Sequence, residues 1–187
     1  MTHRLLVAPG EQLVDGNVSL RLPRKQDAGA LGMACVDTEL ASWVEPPVPT
    51  PTAAGYRLLS QFQLGWEEGR IGSFLYVPSE VKEVGAVIVL MVEDDPAVAE
   101  IAYWVSPALR GRGIATRSVT LVARWAFHRL PLQRLWLEIE PGNAASHRVA
   151  ERSGFQREGL LRSHCRDRRS GSRHDCVVYS LLPDDLR

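Results

Sequence analysis

Residues 105–115, which read Val-Ser-Pro-Ala-Leu-Arg-Gly-Arg-Gly-Ile-Ala, constrain the fold of this chain more than any other segment. The apolar stretch 97–105 predicts a strand that ends there, and residues 113–128 predict an amphipathic helix that begins there. Glycines in the turn let the backbone approach a ligand closely, and the start of a helix carries about half a positive charge. The turn therefore indicates an anion site between a strand and a helix, with two arginines suited to phosphate oxygens.

The rest of the chain alternates between strand and helix signals, which is typical of an α/β fold. Further strands are predicted at residues 18–22, 74–77, 84–92, 134–140, 159–165 and 176–182. Further helices are predicted at residues 27–36, 52–68 and 143–153, the first two with N-caps at Asp27 and Thr52. We expect one α/β domain over residues 1–187, with a core from about 18 to 186 and a mixed sheet of six or seven strands flanked by helices.

Composition and charge exclude several classes of protein. Of the 187 residues 45% are hydrophobic, which is ordinary for a globular protein. The 22 basic residues equal the 22 acidic ones, which argues against a main task of binding nucleic acid through its phosphates. No apolar run reaches the roughly 18 residues that a membrane-spanning helix needs, and the N-terminus lacks the apolar core of a signal peptide. We expect a cytoplasmic protein that does not engage a membrane.

The three cysteines, Cys35, Cys165 and Cys176, are sparse and odd in number, so we do not expect a disulfide framework in a cytoplasmic chain. The pairs His164-Cys165 and His174-x-Cys176 have a spacing that matches no known pattern of metal ligands. Two neighbouring strands that carry small, half-buried side chains explain these pairs more simply. No metal is implied.

The turn at residues 105–115 is neither the dinucleotide-binding fingerprint nor a P-loop, and taken alone it could be a plain turn with surface arginines. Its spacing Arg110-x-x-Gly113-x-Ala115 resembles the acyl-CoA pyrophosphate motif of the GNAT N-acyltransferase superfamily. Similarity to the RimJ/RimL type, the ribosomal-protein N-terminal acetyltransferases, lies in residues 135–140, 141–146 and 153–155. The resemblance covers nearly the whole chain.

This resemblance implies a mostly antiparallel sheet and the transfer of an acetyl group from acetyl-CoA to a primary amine. In such folds two adjacent parallel strands splay apart, here residues 97–105 and 134–140, and the pantetheine arm of the CoA fills the gap. A backbone N–H at the end of the first strand would stabilise the oxyanion of the tetrahedral intermediate. The resemblance places these residues at the cofactor: Tyr103, Trp104, Val105, Arg110, Gly111, Arg112, Gly113, Ile114, Ala115, Asn143 and Ser146.

Glu138 is the first candidate for the base that accepts the proton of the amine. It shares one face of its strand with Trp136 and Glu140, and two carboxylates on one face of a central strand are unusual for packing alone. Glu138 also matches a catalytic glutamate of related ribosomal acetyltransferases. Two alternatives stay open: one or both of the carboxylates form a structural ion pair with nearby arginines, or Glu100 is the base and acts through a water.

Ser146 is the candidate for the group near the leaving sulfur, because it resembles a serine of the RimL-like branch. Many GNAT enzymes place a tyrosine one helical turn later, where this chain has Ala150. A serine hydroxyl is a weak acid, so Ser146 is expected to orient the thiolate rather than to supply a proton. The alternative is that Ser146 belongs to a helix cap beside Asn143.

Three further features concern the acceptor. Trp43, beside the proline-rich residues 46–51, is expected to line the substrate entrance. The arginine-rich residues 162–175 are interpreted as a solvated hairpin loop, which would matter for function only if the loop borders the amine cleft. The histidines, among them His164 and His174, are expected to be structural or exposed rather than catalytic.

The leading hypothesis is an acetyl-CoA-dependent N-acetyltransferase whose acceptor is a protein or peptide N-terminal α-amine. A second hypothesis changes the acceptor to a small amine such as an antibiotic, a polyamine or a peptide metabolite, because a fold does not fix its substrate. A third is a non-catalytic module that binds acyl-CoA, which the lack of a tyrosine at position 150 keeps open. A homodimer also stays open, because related enzymes often pair.

Overall fold

The computed structural model describes residues 6–44, 48–78, 83–166 and 171–186. Its helices are α1 (Ala28–Ala34), α2 (Thr38–Ala41), α3 (Pro51–Glu68), α4 (Ile114–Arg129) and α5 (Ala144–Arg152). Its strands are β1 (Leu13–Asp15), β2 (Val18–Arg21), β3 (Ile71–Tyr76), β4 (Ala86–Val92), β5 (Val98–Val105), β6 (Arg134–Ile139), β7 (Gln156–Arg166) and β8 (Arg173–Leu181). Each predicted strand and helix is present, with ends that shift by only a few residues.

Four details of the predicted elements are wrong. The sheet has eight strands rather than six or seven, because the short β1 was missed, and α2 was missed as well. The N-cap of α3 is Thr50 rather than Thr52, since the Thr50 hydroxyl accepts a hydrogen bond from Ala53 N at 3.2 Å and Pro51 fills the first helical position. Asp27 stands at the start of α1 but does not cap it through its side chain. Its carboxylate instead accepts two hydrogen bonds from the Arg21 guanidinium.

The strands form one sheet in the order β1-β2-β3-β4-β5-β6-β8-β7. Neighbouring strands run antiparallel except β5 and β6, which are parallel. These two strands pair only through Val98–Arg134, Ala99–Leu135 and Glu100–Trp136. Beyond that point β6 pairs with β8 alone, as far as Ile139. The sheet therefore opens between its only parallel pair among the described strands, as the GNAT resemblance predicts.

Helices cover both faces of the sheet. On one face α4 and α5 lie over a core to which Val119, Val122 and Ala150 belong. On the other face α1 and α3 lie over a second core around Leu58 and Trp104. None of the helices in the described residues is both long and apolar enough to span a membrane.

Strand β6 presents apolar side chains to the α4 face of the sheet and polar ones to the α3 face. Leu135, Leu137 and Ile139 are buried on the α4 face. Because successive side chains of a strand alternate, Glu138 points toward the α3 face. The strand thus turns a carboxylate to the side opposite the α4 helix.

Candidate active site

A cavity of about 290 Å³ opens where β5 ends and where α4 and α5 begin. It is lined by every residue predicted at the cofactor except Arg112, that is by Tyr103, Trp104, Val105, Arg110, Gly111, Gly113, Ile114, Ala115, Asn143 and Ser146. Arg112 is exposed and lies outside this lining. We call this space the cofactor cavity.

Two glycines shape the turn that lines the cofactor cavity. Gly111 and Gly113 have φ angles of +77° and +76°. Residues other than glycine adopt such angles only with backbone strain. A Cβ atom on either residue would meet no protein atom within 4 Å, so the space above the turn is open. Gly113 is the N-cap of α4 and provides no side-chain acceptor for the first N–H groups of that helix. Uncapped amides at a helix start are suited to hold an anion.

Arg110 links the turn to α2. Its Nε donates to the carbonyl oxygen of Val105 at 3.0 Å, at the end of β5. Its Nη2 donates to Asp37 Oδ2 at 3.1 Å and to Glu39 Oε2 at 3.2 Å. The guanidinium is thus held by protein groups on two sides. We interpret Arg110 as a residue that positions the turn, in addition to the positive charge it brings.

Helix α5 forms the opposite wall of the cofactor cavity. Asn143 caps the helix, because its Oδ1 accepts a hydrogen bond from Ser146 N at 3.0 Å, and this leaves the side-chain NH₂ to donate to a ligand. The Tyr103 hydroxyl donates to the carbonyl oxygen of Ser146 at 3.3 Å. Burial raises the pKa of Tyr103 above its ordinary value, so this phenol stays protonated. The backbone N–H of Ser146 therefore takes part in the helix cap, as the alternative predicted. Ser146 also lines the cofactor cavity.

A second cavity, of about 1370 Å³, lies on the α3 side of the opened sheet. Both candidate bases, Glu100 and Glu138, line it, whereas Ser146 lines the cofactor cavity. Glu39 lines both spaces, so the two cavities adjoin at α2. Trp43 borders the second cavity as expected for a substrate entrance, while Pro46 and Pro47 lie outside the described residues. We call this second space the acceptor cavity.

Glu138 is surrounded by the β7–β8 hairpin. Its side chain is 22% exposed, and its Oε2 lies 3.5 Å from His164 Nε2 and 3.0 Å from Cys165 Sγ. The neighbouring Glu140 places its Oε1 3.4 Å from His174 Nε2. In the described parts of the chain, neither carboxylate forms an ion pair with an arginine. The alternative of structural arginine pairs is therefore not supported there.

The sequence predicts no disulfide framework, but the structure contains one disulfide, between Cys165 and Cys176. Cys165 and Cys176 lie on adjacent antiparallel strands with their Cα atoms 5.9 Å apart, inside the usual range, and the structure bonds them. Cys35 stays free and buried, and burial raises its pKa to about 11. The sulfur of Cys165 has a proton to donate to Glu138 only when this disulfide is reduced.

Carboxylates dominate the charge of the acceptor cavity. They belong to Glu39, Glu100, Glu138 and Glu140. Opposite them stand one arginine, Arg166, and two histidines. Burial raises the pKa of Glu39, the Arg110 charge opposes this rise, and the charges of Asp37 and Glu140 add to it. A concave surface with excess negative charge attracts a cationic ligand, and a protonated amine is such a ligand.

A carboxylate-lined cavity that adjoins an anion-binding turn can bring a cationic amine to a phosphate-bearing cofactor. The sequence profile described as "Acetyltransferase (GNAT) domain" matches residues 17–156. The chain belongs to the GNAT acetyltransferase family. The enzyme is 34% identical over 113 residues to a "Probable N-acetyltransferase YjcK" of Bacillus subtilis (strain 168), a match that spans 59% of this chain and 61% of that relative.

Solved structures support the same fold for this acetyltransferase. The ribosomal-protein-S5-alanine acetyltransferase of Vibrio fischeri superimposes with a TM-score of 0.77 at 20% identity, over 94% of this chain and 98% of that one. The microcin C7 self immunity acetyltransferase MccE, solved with acetyl-CoA and AMP, superimposes with a TM-score of 0.77 at 18% identity, over 96% and 98% of the two chains. At these identities the likeness concerns the fold.

Sequence reasoning missed several residues that line the two cavities. Arg148 and Arg152 of α5 line the cofactor cavity and bring two more positive charges to it. Their spacing of four residues puts both on one face of the helix, a signal that was present in the sequence. His164, which is exposed as predicted, and His174 also border the acceptor cavity. The hairpin that carries them therefore does border the cleft, although its residues 167–170 lie outside the described ranges.

Proposed function

We propose that this acetyltransferase moves the acetyl group of acetyl-CoA to a primary amine by direct attack in a ternary complex. The proposal puts acetyl-CoA in the cofactor cavity and the amine in the acceptor cavity. The observation that carries it is that the two spaces adjoin at Glu39 and that β5 lines both of them. We expect the thioester to reach the amine through the opening of the sheet between β5 and β6.

The cofactor cavity has the groups that a CoA molecule needs. Open amides at the start of α4 suit the pyrophosphate, and Arg148 and Arg152 add charges on the facing helix. The free backbone edge of β5 beyond Glu100 suits the pantetheine arm. An N–H of this edge would donate to the oxyanion as the amine nitrogen bonds to the carbonyl carbon.

Glu138 is our candidate for the base. An α-amine with a pKa of about 7.7–8.0 loses its proton at pH 7 at a cost of roughly 1 kcal/mol, whereas a lysine side chain needs about 4.6 kcal/mol. A single carboxylate, directly or through one water, is therefore sufficient help for an α-amine. Glu100 lines the same cavity and is the alternative base.

The reaction ends when the carbon–sulfur bond breaks and CoA leaves as a thiolate that takes up a proton. Ser146 lies in the cofactor cavity, on the α5 side of the opening. Its hydroxyl is suited to orient the sulfur by a hydrogen bond. Ala150, where many GNAT enzymes have a tyrosine, lies on the buried face of α5 and contributes no polar group.

The acceptor that we favour is the α-amine of a peptide or protein. Pockets for small molecules measure about 300–1,000 Å³, and the acceptor cavity exceeds this range at about 1370 Å³. Its carboxylates favour a substrate with positive charges beside the reacting amine. A small amine is the alternative acceptor, and a module that binds acyl-CoA without turnover is the alternative to catalysis.

The test is release of CoA thiol from acetyl-CoA by the purified chain. The acceptors are short peptides with free N-termini, the same peptides with blocked N-termini and one lysine, and small amines including a polyamine. Release with the free N-termini alone supports the proposal. Release with small amines alone moves the function to metabolite modification, and bound acetyl-CoA without any release supports the binding module.

A further inference from the structure

Three potential metal ligands converge on the β7–β8 hairpin. Cys165 and His174 are directly paired across the two strands, and Cys176 stands two residues further along β8 on the same face. One side-chain donor atom from each of the three lies within 4.8 Å of the other two. The spacing along the sequence matches no ligand pattern, but the antiparallel pairing brings the three together.

A fourth ligand and a supporting group stand beside them. Glu138 Oε2 is 3.0 Å from Cys165 Sγ, so a carboxylate adjoins the two sulfurs and the imidazole. Glu140 Oε1 is 3.4 Å from His174 Nε2, so a second carboxylate lies beside the imidazole. Two thiolates, one imidazole and one carboxylate or water make a tetrahedral Zn²⁺ site, and a carboxylate on the second ring nitrogen is its common support.

We propose that the reduced form of the hairpin binds Zn²⁺ through Cys165, His174 and Cys176, with Glu138 in the fourth position. The binding step releases two protons, because each thiol must become a thiolate. The disulfide seen in the structure is the alternative state. A small thiol reduces it by exchange to the dithiol, with formation of the small thiol's own disulfide, and a peroxide returns the dithiol to the disulfide with release of the metal and formation of water.

The metal would also stop acetyl transfer. A Zn²⁺ ion that takes the Glu138 carboxylate removes the lone pair that a base needs, so we expect Zn²⁺ to inhibit turnover of the reduced enzyme. Inhibition of turnover by Zn²⁺ rests on the proposed function, whereas Zn²⁺ binding does not. Zn²⁺ bound at the β7–β8 hairpin would thus regulate acetyl transfer in the acceptor cavity.

The test is metal binding by the full chain, reduced with a phosphine and then freed of it. We expect one Zn²⁺ per chain, and with Co²⁺ the near-ultraviolet absorption that thiolate ligands produce. Cys165→Ser, Cys176→Ser and His174→Ala should each weaken the affinity at least about 100-fold, since loss of a mere supporting group already costs 10–100-fold. Cys35→Ser is the matched control and should bind Zn²⁺ like the wild type, because Cys35 is buried in the core around Leu58 and is not one of the three converging ligands.

Two results would overturn the proposal. One is that the reduced wild-type protein binds Zn²⁺ no more tightly than Cys176→Ser. Thermal unfolding of His174→Ala then checks that the variants are folded. The other is peroxide-oxidised protein that binds Zn²⁺ as tightly as the reduced form. If Zn²⁺ binds with these ligands and turnover is unaffected, the metal site stands and the assignment of Glu138 as base fails.

Discussion

The cofactor cavity and the acceptor cavity are built in opposite ways. The cofactor cavity is shaped mainly by one continuous segment, the end of β5 with the following turn and α4, and it uses backbone groups. The acceptor cavity collects side chains from α2, α3 and the six strands β3 to β8. A site made by the backbone of one segment can be recognised from spacing, whereas a site made by side chains of many elements depends on the packing that brings them together.

The largest expected effect lies at the acceptor end. Glu138→Gln removes the proposed base while it keeps the shape of the side chain. General-base catalysis contributes typically 10²–10⁴-fold, so kcat should fall at least about 100-fold. Steady-state release of CoA thiol with a free peptide N-terminus measures this. Glu140→Gln is the comparison: its carboxylate is 68% exposed, and less than about tenfold loss is expected. Equal losses in both variants would assign the effect to charge rather than to a base.

The wall of the acceptor cavity depends on a close helix crossing. A Cβ atom on Gly55 of α3 would overlap the carbonyl oxygen of Ala28 and the backbone of Gly32 in α1. Gly55→Ala should therefore lower the free energy of unfolding by about 3 kcal/mol, the upper part of the range for overpacking. Gly29→Ala, where a Cβ meets nothing within 4 Å, should be neutral or stabilising by up to about 1 kcal/mol. Urea unfolding compares the two, and equal effects would refute the close crossing.

A smaller effect is expected at the cofactor end. Gly113→Ala places a methyl group in the open space above the turn, where we propose the pyrophosphate lies. Loss of one charge-assisted hydrogen bond weakens acetyl-CoA binding by about tenfold or more. Gly16→Ala is the matched control, because Gly16 has a φ of +55° in the β1–β2 turn and pays the same backbone strain. Calorimetric titration would contradict the turn assignment if both variants bound acetyl-CoA with wild-type affinity.

The smallest expected effect is on the free energy of unfolding and comes from the ion pair of Asp27 with Arg21. Asp27 is 5% exposed; burial acts to raise its pKa, but the Arg21 hydrogen bonds and the Arg24 backbone N–H prevail and lower it. Its stabilisation is present above the unfolded pKa of about 3.9 and is lost as the pH falls through the lower folded value. Asp27→Asn should thus lose on the order of 1 kcal/mol at about pH 6 and less at about pH 3, by urea unfolding. Asp94→Asn, at a fully exposed side chain, should keep the wild-type pH dependence.

The prediction from sequence succeeded where the signal was local. The alternation in β6 correctly put Glu138 on the face opposite Leu137, and the glycine spacing identified the turn before α4. Arg148 and Arg152 carried a readable helical spacing that was overlooked.

The rest could not be predicted because it depends on strand pairing. Cys165 and Cys176 are bonded only because β7 folds back on β8 with a register shift after Leu161. The meeting of Arg110 with Glu39 joins residues that are 71 positions apart. No spacing along the chain reports such contacts, since they follow from how the sheet and helices assemble.

The measurement that tests the central claim most directly pairs acetyl-CoA affinity with turnover in one variant. In Glu138→Gln, the dissociation constant for acetyl-CoA should stay within about twofold of the wild-type value while kcat falls at least about 100-fold. This result would place the base in the acceptor cavity, apart from the cofactor cavity. A turnover that is unchanged, or an affinity that falls together with it, would contradict the division of the site into two ends.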